Sequence, residues 1–396
     1  MQTGLTSVVT NVVLPHAAER CDILIRDGRF EQIRPIGIPV SAEAIRIDGR
    51  GLIAVAGFID LHVHGAKGHD FMDASDEAFA AIGAWHAAGG TTAYLPTTAT
   101  ESPAAICACI DAAARARDQR IGGVEILGVH VEGPYMAPAK HGCHDPGHVR
   151  QPSPAENRAL LDRGAIIRRI TLAPEIPGVI DFIRDTTRAG IVASGGHSEA
   201  TIDQTLRAME AGMSMITHLY CAMSTITKNG PFRVPGMLEA ALLDDRLGTE
   251  LIADCKHVSP DLMRLAMKAK TEQSVCFVTD AMRGAGMPDG DYTFGSRNGT
   301  KVVVENGVAR NQANTGFASS VVRMIDVVRN AVDVLGMPLA DAVKRASLVP
   351  ALLMGISERK GSITPGKDAD LVLLEASPRL EVRLTMNRGQ VIFNRH

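Results

Sequence analysis

The chain has 396 residues, 45% apolar and 21% charged, with a net charge of −3. That near-neutral balance leaves no electrostatic footprint for nucleic acid or an anionic membrane, and no apolar stretch approaches the ~20 residues that span a bilayer. The length fits one large domain and a smaller one, as in an ordinary globular enzyme.

In chain order, residues 1–50 begin with Met1-Gln2-Thr3-Gly4-Leu5, which lacks the basic and apolar regions of a secretory leader. Short β-like runs follow at Ser7–Val13, Asp22–Ile25 and Phe30–Arg34, with Asp27-Gly28 as a tight-turn signal. Eight apolar runs come next: Leu52–His64, Thr91–Thr98, Val124–Glu132, Ile170–Glu175, Gly190–His197, Met213–Leu219, Glu250–Ala253 and Ser274–Asp280. Between them lie helical patterns at Asp76–Ala88, Pro103–Asp118, Ala155–Arg163, Val179–Ala189, Thr201–Ala211, Met237–Arg246 and Pro260–Lys270. Thr201 and Ser259 read as N-caps, Pro260 as a first helical residue, and Gly212 as a helix stop. Residues 361–396 return to β-like runs, Ala369–Leu374, Val382–Met386 and Val391–Phe393, with Asn387-Arg388-Gly389 as a turn. Seven cysteines, an odd number without a Cys-x-x-Cys, suggest neither a disulfide framework nor a zinc ribbon, so a reducing cytoplasm is expected.

Alternating strands and helices imply parallel pairing, and eight repeats match a (β/α)₈ or TIM barrel. An open doubly wound sheet would need a Gly-rich turn after the first strand, and none is there. The expected organisation is a barrel over 54–357 with a small β-sandwich built from both chain ends, 1–53 and 358–396.

A barrel active site sits at the C-terminal ends of the strands. Here those ends carry His62 and His64, His130 and Glu132, His197, His218, Asp254 and His257, and Asp280. His62 and His64 project to one side of a strand, because residues two apart share a face. A lone His-x-His is more often a hydrogen-bonded pair, but six strand ends that agree point to a site. His62, His64, Glu132, His197 and His218 suit a divalent metal, zinc first, with iron, manganese or cobalt as alternatives. Such a site activates water and polarises a carbonyl, and Asp280 is the expected proton carrier. The reaction class is metal-assisted hydrolysis of an amide or related carbonyl compound. His130 reads as a barrel-interior histidine, with a ligand role as the alternative.

Asp60-Leu61-His62-Val63-His64-Gly65, Val131-Glu132-Gly133-Pro134, Thr171-Leu172-Ala173-Pro174-Glu175, Gly196-His197-Ser198, Thr217-His218-Leu219-Tyr220, Val278-Thr279-Asp280-Ala281-Met282 and Pro365-Gly366-Lys367-Asp368-Ala369-Asp370-Leu371 together resemble the amidohydrolase superfamily. Within it they look most like the N-acetylglucosamine-6-phosphate deacetylase family. The resemblance implies removal of acetate from an N-acetylated amino-sugar 6-phosphate, with the galactosamine epimer, or another N-acyl or cyclic amide, as alternatives. It implies Glu132, His197 and His218 as main metal ligands, His62 and His64 as a second-metal pair that some members have and others lack, so one ion or two, and Asp280 as general base and acid. It implies that His144 polarises the acetyl carbonyl, that His257 binds substrate, and that Arg233 pairs with the phosphate, as its charged fork suits. It also implies a homodimer whose neighbouring subunit helps close the phosphate site. Cys221 and Ala222 fall in the substrate loop, where the family usually carries Asn-Ala. There Cys221 departs from the pattern, as does the longer loop from Ser224 to Phe232, with Lys228 as a compensating charge or a solvated loop residue.

Overall fold

A computed structural model describes residues 6–17, 19–39 and 42–395. The Met1–Leu5 segment read for a secretory leader lies outside the described residues. The eight barrel strands are Phe58–Val63, Thr91–Pro96, Val129–Glu132, Ile167–Leu172, Val192–Gly195, Met215–Ile216, Gly248–Ile252 and Val275–Val278. Every ladder between neighbours is parallel. Thr97 bridges to His130 and Val63 to Ala281, so the second strand meets the third and the eighth meets the first. The ring is closed, as the strand–helix alternation predicts.

The capping residues act as the sequence suggests. The Thr201 hydroxyl accepts from the Gln204 amide, and Ser259 accepts from Leu262 with Pro260 following. Gly212 ends its helix at φ +116°, in the left-handed region.

Two glycines divide runs that read as continuous strands. The run Leu52–His64 is two strands about Gly57. Ile53–Ala56 pairs with Leu371–Leu374, and Phe58–Val63 enters the barrel. A Cβ on Gly57 would stand 2.3 Å from Thr92, so only glycine lets the chain pass there. Within Val124–Glu132, Gly128 takes φ +144° between Glu125–Ile126, which pairs with the second strand, and Val129–Glu132, which pairs with the fourth.

Both chain ends contribute to one sheet. Thr6–Val13, Arg20–Arg26, Arg29–Pro35, Ile45–Asp48 and Ile53–Ala56 join Leu371–Glu375, Glu381–Asn387 and Gln390–Asn394. Val9, Val12, Ile23, Ile25, Phe30, Leu371, Leu373 and Met386 pack as a core distinct from the barrel's main cluster. After the eighth strand come elements without a sequence expectation: a three-stranded antiparallel sheet over 290–311, then helices Met324–Asp333, Leu339–Ala346 and Leu348–Leu353. No helix among the described residues is long and apolar enough to cross a membrane.

Candidate active site

Glu132, at the end of the third barrel strand, is the hub. Its Oε1 lies 3.1 Å from His197 Nε2 and 3.2 Å from His218 Nε2, and those two nitrogens are 3.0 Å apart. Its Oε2 lies 3.1 Å from His64 Nε2 and 3.4 Å from His62 Nε2, which are 3.2 Å from each other. Asp280 Oδ1 approaches the same pair, 3.3 Å from His64 and 3.5 Å from His62. All six side chains are buried.

This donor set fits a divalent metal. Ligand atoms ~2.1 Å from a tetrahedral ion stand roughly 3.4 Å from one another, close to the separations seen here. The electrostatics agree. Burial opposes charge on His62 and His64, yet Glu132 and Asp280 overcome it, leaving His62 well above the usual imidazole range and His64 at about 9. Burial also works against ionised Asp280, but His62 and His64 hold it at about 2. The two carboxylates therefore favour positive charge on this histidine pair.

Hydrogen bonds on the far side of two of the rings, His197 and His62, fix which nitrogen faces inward, whereas Nδ1 of His64 and of His218 is buried without a partner among the described residues. His197 Nδ1–H donates to the Lys140 carbonyl at 2.7 Å, and His62 Nδ1–H donates to Glu250 Oε2 at 3.1 Å. Each bond aims the ring's Nε2 at the hub, the outer-shell pattern of metal-binding histidines. His144 is the reverse. Its Nδ1 accepts the Thr100 backbone N–H at 2.9 Å, so the neutral ring carries its proton on Nε2 and donates to Glu132 Oε2 at 3.1 Å. Burial, only partly offset by Glu132, pulls its pKa down to about 4, so the ring is neutral at neutral pH. Although its nitrogen lies within ligand distance of Glu132 and His197, His144 is thus a hydrogen-bond donor rather than a metal ligand.

Beneath the site runs a polar network that sequence reasoning missed. Glu250 pairs with Arg169, and both are fully buried. Arg169 also donates to Ser194 at 2.9 Å and Thr217 at 2.8 Å. Thr217 contacts Thr171, whose hydroxyl lies 2.7 Å from His130 Nε2, so His130 sits in the barrel interior as expected. The available signal was a charge inside a buried parallel strand, Gly-Thr-Glu-Leu-Ile at Glu250 and Ile-Arg-Arg-Ile at Arg169. Breaking such a pair strands a buried charge, at a cost of about 3–5 kcal/mol. Arg169→Ala should therefore lower the unfolding free energy by about that amount in urea denaturation. An unchanged midpoint would show that the network is structurally idle.

The site opens into a cavity of about 320 Å³ lined by Glu132, His144, His197, His218, Cys221, Ala222, His257, Asp280, Phe317 and Ser319, among others. That is the small end of the ligand-site range, roughly 300–1,000 Å³. His257 Nδ1 bonds Asp254 Oδ2 at 2.8 Å, and its ring lies 4.5 Å from Phe317. Burial, with Asp280 and Asp254 adding, pushes the Cys221 thiol up to about 12, so it stays uncharged. Arg233 is not brought to the pocket of its own chain. It lies exposed on a hairpin of Thr227–Asn229 and Phe232–Val234, directly across from Lys228.

The amidohydrolase family model matches residues 53–392. The chain belongs to the amidohydrolase family. An N-acetylgalactosamine-6-phosphate deacetylase of Escherichia coli O157:H7 is 36% identical over 93% of each chain. An N-acetylglucosamine-6-phosphate deacetylase of Lysinibacillus sphaericus is 32% identical over 98% of each. Among solved structures, the N-acetylglucosamine-6-phosphate deacetylase of Pasteurella multocida superposes with a TM-score of 0.90 at 31% identity, covering 98% of this chain and 99% of that one. A mutant N-acetyl-D-glucosamine-6-phosphate deacetylase of Mycobacterium smegmatis, in complex with N-acetyl-D-glucosamine-6-phosphate, gives 0.87 at 31%, covering 99% and 100%. The TIM-type barrel of this amidohydrolase thus has whole-chain counterparts.

Proposed function

We propose that this amidohydrolase removes the acetyl group from an N-acetylhexosamine 6-phosphate, releasing acetate and the amino-sugar phosphate. The observation that carries the chemistry is Glu132, whose two oxygens face two histidine pairs beside Asp280. Relatives named for N-acetylhexosamine 6-phosphates, over nearly the whole chain, support the substrate class. In this reading Glu132, His197 and His218 hold the divalent ion, zinc first, and His62 and His64 hold a second where one binds. The ion would polarise the acetyl carbonyl and ease deprotonation of water.

The remaining work belongs to side chains. Asp280 takes a proton from the attacking water and returns it to the leaving nitrogen. His144 Nε2–H donates to the carbonyl oxygen as charge develops there. His257, Cys221 and Ala222 line the sugar pocket. The sheet that both chain ends build, with Ile53–Ala56 on its side of the boundary rather than the barrel's, forms the small β-sandwich beside the barrel, and the chain works in the cytoplasm.

Arg233 contacts the phosphate from the second subunit of a homodimer. Like charges placed directly opposite in a hairpin destabilise it, and an anion between Lys228 and Arg233 would relieve that. Arg233→Ala should therefore raise KM for a 6-phosphate substrate by more than tenfold, about the 1.4 kcal/mol or more that a charge-assisted bond supplies. The KM of any unphosphorylated N-acetyl sugar should stay unchanged. Equal effects on both would make Arg233 structural.

The overall reading is tested by acetate release from N-acetylglucosamine and N-acetylgalactosamine 6-phosphates, with metal content measured on the same preparation. Equal rates on the phosphate-free sugars would overturn the phosphate requirement. The galactosamine epimer stands as the second reading, because the Escherichia coli relative at 36% identity is named for it.

A further inference from the structure

We infer that Ser319 is a positioning residue for Asp280. The inference rests on the reading of Asp280 as the proton carrier. Ser319 lies in the loop that follows the three-stranded sheet over 290–311 and lines the pocket with only 6% of its surface exposed. Its hydroxyl donates to Asp280 Oδ1 at 3.1 Å. Its backbone sits at φ +62°, in the left-handed region. A serine there carries a conformational cost that glycine would not. A strained residue of this kind persists where its surroundings over-determine it, and such residues gather at working sites. Here the side chain obtained for that cost is one hydroxyl, and it points at the carboxylate that moves the proton.

The main chain around it is built for the same alignment. Ser320 N–H donates to the Asp280 carbonyl at 2.8 Å, and Met282 N–H donates to the Ser320 carbonyl at 3.0 Å. The loop therefore lies against the end of the eighth barrel strand as an added ladder, with Ala281 bridging to Ser320. Asp280 itself stands at φ +50°, so its own backbone is also held away from the ordinary regions. The Ser319 hydrogen bond and the close approaches of His62 and His64 all fall on Oδ1. Oδ2 is the oxygen left to accept and return a proton. Ser319 fixes which oxygen faces the histidines and which faces the substrate.

Two variants that both lack the hydroxyl separate positioning from packing. Ser319→Gly removes the bond and relieves the backbone cost; Ser319→Ala removes the bond and keeps the cost. Both should lose about tenfold or more in kcat, with KM within about twofold, because the defect lies in proton transfer and not in substrate binding. Their melting temperatures should differ, with Ser319→Gly at or above the parent and Ser319→Ala below it. Wild-type kcat in Ser319→Gly would overturn the inference, as would a rise in KM at constant kcat, or activity that simply follows stability. Asp280→Asn in the same assay keeps the two readings apart. If that variant is inactive while Ser319→Gly is fully active, only the role of Ser319 falls. If Asp280→Asn is active, the assignment of Asp280 falls first.

Discussion

Asp280→Asn is expected to lose between about 10² and 10⁴ in kcat, the range that a general acid–base contributes, or about 3–5 kcal/mol of transition-state stabilisation. The substitution is nearly isosteric. Asparagine retains an oxygen to accept the Ser319 hydroxyl and can face His62 and His64 much as the acid does. What it lacks is a proton affinity suited to taking a hydrogen from water and giving it to an amine. His62 and His64 hold the Asp280 carboxyl at about 2 against the opposing effect of burial, so it is ionised at neutral pH and presents a carboxylate to the site. Turnover should therefore collapse while circular dichroism and metal content stay at parental levels. Activity within tenfold of the parent would remove Asp280 from the proton path, and His144 could not take its place, because its inward nitrogen is already the donor end of the ring.

Much of the barrel and of the residues gathered around Glu132 is legible in the chain because the fold repeats a simple physical unit. A buried parallel strand reads as an apolar run, and a polar residue at its end stands out against it. That contrast marks His62, Glu132, His197, His218 and Asp280 in the sequence itself. Other features are hidden for identifiable reasons. Gly57 and Gly128 interrupt runs whose apolar character continues on both sides, so periodicity cannot see the change of partner. Glu250 and Arg169 neutralise each other across 81 positions of sequence, and nothing local marks either as paired. The proton on His144 is set by a backbone amide, Thr100, which no side-chain motif reveals. Ser319 stands out through its backbone φ and its hydrogen bond to Asp280, neither of which leaves a mark in the sequence.

Glu132→Gln is the change expected to do most damage to the metal centre. The carboxylate meets the inward nitrogens of both histidine pairs, Oε1 with His197 and His218, Oε2 with His62 and His64. An amide offers one acceptor and one donor, so whichever way it turns, one pair meets an N–H where it had an anion. Outer-shell changes typically cost about 10–100-fold in metal affinity, and loss of this central anion should cost more. After dialysis, elemental analysis should therefore find the variant nearly metal-free and acetate release abolished, with the fold retained by circular dichroism. His62→Asn supplies the contrast, because it touches only the Oε2 side. It should keep the ion held by Glu132, His197 and His218 and lose only what binds at the second position. Parent-level metal in Glu132→Gln would refute the bridging role. Equal loss in both variants would mean that the two histidine pairs hold one shared ion, whereas a single ion lost only in Glu132→Gln would confine the parent enzyme to the His197–His218 side.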